Sequence, residues 1–385
     1  MKWLALLLTG LAAFGQGPAP VRSPEVHADR TVTFRLRAPQ ATLVEVTGEV
    51  ARGKGPQAMT KGSDGVWSLT LGPFTPEIWI YNFRVHGVEL PDPSNISLMP
   101  RAPGTAAVSS FVEIPGDAPA FYDARPVPHG DVRMVLYPSK TMGVDRYMWV
   151  YTPPGYDKSS AKYPVYYLLH GNGETQNGWV MNGRANIILD NLIAEGKAQP
   201  MVVVMPHGHP IQSASVGPYK EVAPVAEQGL RNYKLFTKEL LEEILPTIEK
   251  TYRVYTDADH RALGGLSMGA MQSVTIGLAH PELFHYVLAY SGGFGSLGVE
   301  SASQDVAAQT PWKEALANPA GVRKLRLLFL GSGRDEAGLL VTGKKLTGLL
   351  KEKGVRVEWA DHPGGHVFSV WRNHLNDSVP LLFRK

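Results

Sequence analysis

The sequence has 385 residues, 44% of them hydrophobic and 19% charged, which suffices for two or three domains with at least one sizeable core. Net charge is only +3 and no basic block occurs, so nucleic acid is excluded from the expected partners. The absence of cysteine excludes a disulfide framework, a lipidated cysteine, a thiol nucleophile and thiolate metal sites together.

Residues 1–17, MKWLALLLTGLAAFGQG, place one lysine before an apolar run that ends in small residues. That pattern reads as a signal peptide, and the run is too short to span a bilayer. It predicts a secreted or periplasmic protein with no membrane association after cleavage. From 24 to 115 the chain alternates short apolar runs with Gly, Pro and Asp clusters: TVTFRLRAP (31–39), TLVEVTG (42–48), VWSLTLG (66–72), IWIYNFRVHG (78–87) and AVSSFVEIP (107–115). Strands at this spacing predict an all-β, immunoglobulin-like sandwich. Residues 116–130 are rich in Pro and Gly without an apolar period, and read as a linker across a surface.

From 131 to 385 the pattern is α/β. DVRMVLYPS and DRYMWVYTPP read as two strands, followed by YPVYYLLHG, a helix near 185–195 and the strand MVVVMP (201–206). Apolar residues at 235, 236, 240, 241, 244, 245 and 248 predict an amphipathic helix over 234–252. HRALGG, a helix after Ser267, HYVLAYSGG, LRLLFLGSG, a helix near 336–353, VRVEWADHPGG and a last helix near 367–376 complete the series. Near-continuous apolar strands alternating with helices imply a mostly parallel sheet covered on both faces.

Gly265-Leu266-Ser267-Met268-Gly269 raises the question of whether Ser267 is a nucleophile or a small residue in a glycine-rich turn. A serine on a sharp strand-to-helix turn needs small residues two before and two after it, where the backbone passes too close for side chains. A serine hydroxyl also needs a base and an orienting acid, in the chain order Ser, Asp or Glu, His. After Ser267, strand LRLLFL leads into Gly331-Ser332-Gly333-Arg334-Asp335-Glu336, so Asp335 is the expected acid and Glu336 the second choice. Asp361 follows the next strand, on the segment that must carry the histidine. His366, on a Gly-Gly loop before the last helix, is the expected base. His362 is held extended by Pro363, and His374 lies inside the last helix. The oxyanion hole is expected from the backbone N–H groups of Met268 and of Asn172, the latter in the loop His170-Gly171-Asn172-Gly173-Glu174. These four elements in one order identify Ser267 as the nucleophile.

Two further patterns carry less. Gly293-Phe294-Gly295-Ser296-Leu297-Gly298 follows a strand, but a Ser/Ala-rich stretch rather than a clear helix follows it, and no acid lies at the distance dinucleotide binding needs. No H-E-x-x-H occurs, and Pro-Gly-Gly separates His362 from His366, so no metal is expected.

LLHGNG, GGLSMGA, GSGRD and GGHVFSVW together resemble the esterase D and feruloyl esterase group, carbohydrate esterase family 1, over about 131–385. The resemblance implies an α/β-hydrolase fold and two-step ester hydrolysis without a cofactor, with Ser267 attacking, His366 shuttling the proton and Asp335 orienting it. FRLRAPQATLVEVTGE, GVWSLTLGPF and IYNFRVHGVELPDPSN resemble carbohydrate-binding module family 48 and related early-set domains over 24–115. Trp67, Trp79, Tyr81 and Phe83 would then be candidates for a sugar-stacking platform, although Trp79, Tyr81 and Phe83 share one strand face and compete as core. A module that has lost sugar binding and shapes the active-site rim is the alternative. The family implies a feruloyl esterase acting on feruloylated plant cell-wall polysaccharide, with Trp179, His207 and Trp371 placed near the acyl pocket by their loop positions. Acetyl xylan esterase and siderophore esterase are the rival enzymes, and a carbohydrate-binding protein with an inactive hydrolase domain is the rival of another class.

Overall fold

The computed structural model describes residues 20–100, 108–209, 215–216, 233–294 and 306–384. The signal-peptide segment, 1–17, lies outside the described residues. Among those described, no helix is long and apolar enough to cross a membrane.

Strict alternation in VTFRLR turns Val32, Phe34 and Leu36 to one side of strand Val32–Arg37, and all three are buried. This strand sits in a four-stranded antiparallel sheet with Glu25–Val26, Val66–Leu71 and Thr60–Lys61. A second antiparallel sheet has the order Gln57–Ala58, Val44–Gly48, Glu77–Val85, Val108–Ile114, Leu98–Pro100, with Val88–Leu90 folded back on Glu77–Val85. Val44, Val46, Tyr81, Phe83 and Val112 from this sheet share one core with Val32, Phe34 and Leu36. The four candidate platform aromatics belong to that core. Tyr81 and Phe83 are fully buried, and the buried Trp67 donates its indole N–H to the Ala38 carbonyl at 2.9 Å. Trp79 is half-buried against the same cluster, and the Arg52 guanidinium covers both it and Phe74. Trp67, Tyr81 and Phe83 offer no exposed stacking face, because alternation over a two-sheet core turns them inward.

Residues 115–130 run along the helix Ala185–Ala194. Asn191 donates its side-chain amide to the carbonyls of Phe121 and Asp123, and Tyr122 is buried against the main core. The large sheet that follows has the order Asp131–Ser139, Val144–Thr152, Val202–Pro206, Val165–Leu169, Arg261–Leu266, Tyr286–Tyr290, Leu327–Gly333, Val357–His362, with Ser215–Val216 beside Val144–Thr152. The pairings from Val202–Pro206 through to Val357–His362 are parallel, and the first two strands join antiparallel. Side-chain parity divides the core. Tyr166, Leu168, Val203, Met205 and Leu288 meet helices Ala185–Ala194 and Phe368–Ser378 on one face. On the other, Tyr167, Leu169, Val202 and Val204 meet Phe236, Leu240 and Ile248, while Val287 and Leu328 meet Val274 and Leu346. Burial on both faces is why these strands read as unbroken apolar runs.

Two helices depart from the sequence reading. The helix beginning at 233 widens into a π-turn at Leu240–Ile244 before Leu245–Thr251. Pro246 has no N–H to return to the carbonyl four residues earlier, and the wider turn accommodates that missing bond. A further helix, Val306–Ala317, forms where the chain looked Ser/Ala-rich; Trp312 anchors it in the core. Strands 165–169, 261–266 and 327–333 all end at the same carboxyl edge of the sheet, where open α/β sheets place their sites.

Candidate active site

Strand Arg261–Leu266 ends at Ser267, whose φ of 50° and ψ of −113° lie outside the regions ordinary residues occupy, and helix Met268–Ala279 begins at once. The turn closes only because its flanks lack side chains. A Cβ on Gly265 would stand 2.4 Å from the Leu169 carbonyl oxygen, and one on Gly269 2.6 Å from the same atom. The strained serine is thereby pushed out over the sheet edge.

His366 reaches Ser267 from the loop between the last strand and the last helix. Its Nε2 lies 2.8 Å from Ser267 Oγ, and its Nδ1 lies 2.6 Å from Glu336 Oε1. The carboxylate accepts, so Nδ1 carries the proton and the Nε2 lone pair faces the serine hydroxyl. Glu336 is nearly buried, at 7% side-chain exposure, and its Oε2 accepts the Ser291 hydroxyl and the Gly333 N–H, each at 2.6 Å. Burial pushes its carboxyl pKa up, but the hydrogen bonds from His366, Ser291 and Gly333 outweigh this and hold it below the ordinary glutamate value.

The acid beside the imidazole is Glu336 and not Asp335. Past Gly333 the backbone turns: Arg334 and Asp335 donate their N–H groups to the carbonyls of His362 and Gly364, which leaves the Asp335 side chain exposed to solvent. Glu336, at the mouth of helix Ala337–Glu352, points back three residues to Gly333 and onward to His366. The other candidates are engaged elsewhere. Asp361 pairs with Arg334 and Lys344, which hold its carboxyl well below the usual range. His362 pairs with Asp377 at 2.7 Å, and buried His374 stacks on Tyr290.

Met268 N–H, the first of its helix, is among the four that no carbonyl inside the helix can accept. Across the cleft, two neutral histidines fix the loop that holds Asn172. His170 Nε2 accepts the Gly208 N–H at 2.9 Å, so its proton sits on Nδ1 and is donated to the Gly171 carbonyl at 2.8 Å. Because that peptide is trans, the Asn172 N–H points the opposite way. His209 Nε2–H in turn donates to the Asn172 carbonyl at 2.8 Å. Burial, reinforced by His209, pushes the His170 pKa down to about 3, and burial lowers that of His209. Both rings stay neutral at ordinary pH.

The cleft over Ser267 has a volume of about 250 Å³ and is lined by Asn172, His366 and Trp371. Trp371 stands edge-on to His366, with ring centroids 4.9 Å apart. Trp179 and His207 do not line it. Trp179 is 1% exposed, donates its indole N–H to the Leu169 carbonyl at 2.9 Å and packs on Tyr290 and Phe368. His207 is equally buried, stacked on His170. Trp179 sits in the short helix Gly178–Met181 and His207 directly follows strand Val202–Pro206, and both are buried rather than facing the pocket. Two lining residues had no sequence signal at all: Glu49, in the 3₁₀ turn after strand Val44–Gly48, and Ile80, in strand Glu77–Val85. Among the described residues, no group of three His, Asp or Glu side chains could hold a metal ion.

The esterase family matches this chain over residues 139–382, a span that contains every residue of the Ser267–His366–Glu336 relay. The chain belongs to the esterase family. Its fold is of the α/β-hydrolase type, the fold of a carboxylic-ester hydrolase. Over 370 residues, 94% of its length, the esterase is 32% identical to an endo-1,4-beta-xylanase/feruloyl esterase of Xylanibacter ruminicola, 46% of which is covered. It is 27% identical over 268 residues to an esterase of Mycobacterium tuberculosis, covering 60% of this chain and 55% of that one. The chain thus spans about half the length of these curated relatives. Among solved structures, the enterobactin esterase of Shigella flexneri matches with a TM-score of 0.65 at 20% identity, covering 91% of this chain and 92% of that one. The CE1 ferulic acid esterase of Anaeromyces mucronatus matches with a TM-score of 0.53 at 24% identity, covering 69% and 96%. At such identities these two structures speak for the fold alone.

Proposed function

We propose that this esterase is an exported serine hydrolase that releases hydroxycinnamates, chiefly ferulate, from plant cell-wall polysaccharide through an acyl-enzyme. One observation carries the mechanism: the continuous relay from Ser267 Oγ through His366 to the Glu336 carboxylate, at the floor of an open cleft. His366 takes the serine proton as Oγ attacks the ester carbonyl, and the oxyanion forms towards the N–H groups of Met268 and Asn172. His366 then returns the proton to the departing alcohol. Water deprotonated by the same ring attacks the acyl-serine and frees the acid. Glu336 keeps Nδ1 protonated throughout and balances the imidazolium. Aromatic Trp371 on the cleft wall suits a flat cinnamoyl group, and the 32% identity to a xylanase/feruloyl esterase over nearly the whole chain supports the acyl class.

Residues 24–115 form a separate immunoglobulin-like sandwich in this reading, joined through 116–130 to the esterase domain at 131–385, and residues 1–17 direct export. Initial rates on methyl ferulate and on p-nitrophenyl acetate, wild type beside Ser267→Ala, test the proposal. Ferulate release that needs Ser267 and exceeds acetate release in efficiency is expected. Serine-dependent acetate release without ferulate release would overturn the acyl class and favour an acetyl xylan or siderophore ester.

A further inference from the structure

The cleft that holds Ser267 and His366 is not built by the esterase family's own residues alone. Glu49 and Ile80, both of which precede the family-matched span 139–382, form part of its wall. Local geometry explains how Glu49 arrives there. Strand Val44–Gly48 ends at Gly48 with φ 95°, where a Cβ would stand 2.6 Å from the Ile80 carbonyl oxygen. Only glycine lets the chain press so closely on the neighbouring strand before the short 3₁₀ turn Glu49–Ala51. Glu49 Oε2 then accepts the Ile80 N–H at 3.1 Å, which fixes the carboxylate where strand Val44–Gly48 ends beside Glu77–Val85.

This wall is fastened to the esterase part by buried contacts. The Arg372 guanidinium, fully buried, bonds the Asn182 carbonyl at 2.6 Å, pairs with Glu77 and lies 4.8 Å over the Tyr122 ring. Arg372 directly follows Trp371, so the strand that leads from Glu77 to Ile80 is tied to the helix that forms the opposite side of the cleft. Ile78 enters the same core cluster as Trp179 and Trp371, and Arg184 pairs with Glu113 at 2.6 Å. The two walls are held in one frame.

We propose that Glu49 is a specificity-determining residue: its carboxylate accepts a hydrogen bond from a hydroxyl group of the bound ester. The proposal deepens the reading of the chain as a hydroxycinnamate esterase and rests on it. A carboxylate on a small, partly apolar cleft wall rewards a hydrogen-bond donor over an apolar substituent, because it still has acceptor lone pairs beyond the one that the Ile80 N–H takes. The hydroxyl comes either from the acyl side, as a phenol, or from the alcohol side, as a sugar. Hydrogen bonds to charged groups are worth enough that losing one lowers selectivity by about 10- to 100-fold.

The test measures kcat/KM for the full chain and for Glu49→Gln and Glu49→Ala, with thermal unfolding as a check on folding. One substrate pair is methyl p-coumarate against methyl 4-methoxycinnamate, which differ by the phenolic proton. A second pair is a feruloylated arabinose against methyl ferulate, which differ in the alcohol. Glu49→Ala is expected to cut the preference for the hydroxyl-bearing member of one pair by about 10- to 100-fold, with Glu49→Gln retaining part of it as an acceptor. The pair that responds identifies the source of the hydroxyl. Equal losses on all four substrates, or no loss, would overturn the proposal. If the wild type cleaves only acetyl esters, the hydroxycinnamate reading fails by itself, and acetylated xylose against ethyl acetate then decides the role of Glu49.

Discussion

Replacing Glu336 by Gln removes one negative charge next to the imidazole and leaves the side-chain size nearly unchanged. In the wild type the carboxylate lies 2.6 Å from His366 Nδ1, and in the proposed mechanism it steadies the imidazolium that forms as Ser267 loses its proton. Charge centres about 4 Å apart interact by about 4 kcal/mol at an effective dielectric of about 20. His366 is 47% exposed, so water screens the pair, and halving the figure to about 2 kcal/mol sets the lower bound. The expected loss in kcat is therefore about 30- to 1,000-fold. Asp335→Asn is the matched control: its side chain faces solvent, and kcat is expected to change less than about twofold. The assay is steady-state hydrolysis of p-nitrophenyl acetate at pH 7.5, with thermal unfolding of each variant to confirm folding. A loss with Asp335→Asn comparable to that with Glu336→Gln would refute the assignment, as would full activity in a folded Glu336→Gln protein.

Acid should weaken the fold before it protonates most carboxylates. His170 and His374 are buried, and burial pushes each pKa down to about 3. In the unfolded chain they bind protons below about pH 6.5. The unfolded state therefore holds more protons between about pH 3 and 6.5, so stability rises with pH across that window and falls on acidification. Each histidine removes roughly 2 kcal/mol by pH 5 relative to neutral pH. Urea unfolding at pH 7.5 and pH 5 measures this, and equal stabilities would contradict the neutral, buried state of both rings. Trp179→Ala should lower the unfolding free energy by about 3–5 kcal/mol, because it empties a core position and strands the Leu169 carbonyl. A variant of native stability with a raised KM would instead restore Trp179 to the acyl pocket.

Several features of the chain follow from local chemistry, and the sequence alone is enough to read them. Unbroken apolar runs such as VYYLL and YVLAY demand burial on both faces, which leaves a helix-covered parallel sheet as the solution. Two glycines two residues either side of Ser267 mark a turn too tight for side chains, and the close approach to the Leu169 carbonyl is the contact that requires them. The histidine on its Gly-Gly loop was legible because it follows the acid in the chain order Ser, acid, His and falls between the last strand and the last helix. The choice between Asp335 and Glu336 was not. Adjacent residues in a turn point in different directions, and the direction here is set by hydrogen bonds to His362 and Gly364, thirty residues along the chain. The same holds for Trp179 and His207, which the sequence places near loops but whose depth below the surface no local pattern reports.

The N-terminal part shows the division most clearly. Period-two alternation by itself determined that runs such as 31–39 form strands and which face of each strand is apolar, because a strand's side chains can point only two ways. That Tyr81 and Phe83 are core, that Arg372 is tied to Glu77, and that Glu49 reaches the cleft of Ser267 was decided only when the sheets packed. Such contacts join residues up to 295 positions apart, and no local rule of propensity or spacing operates across that distance.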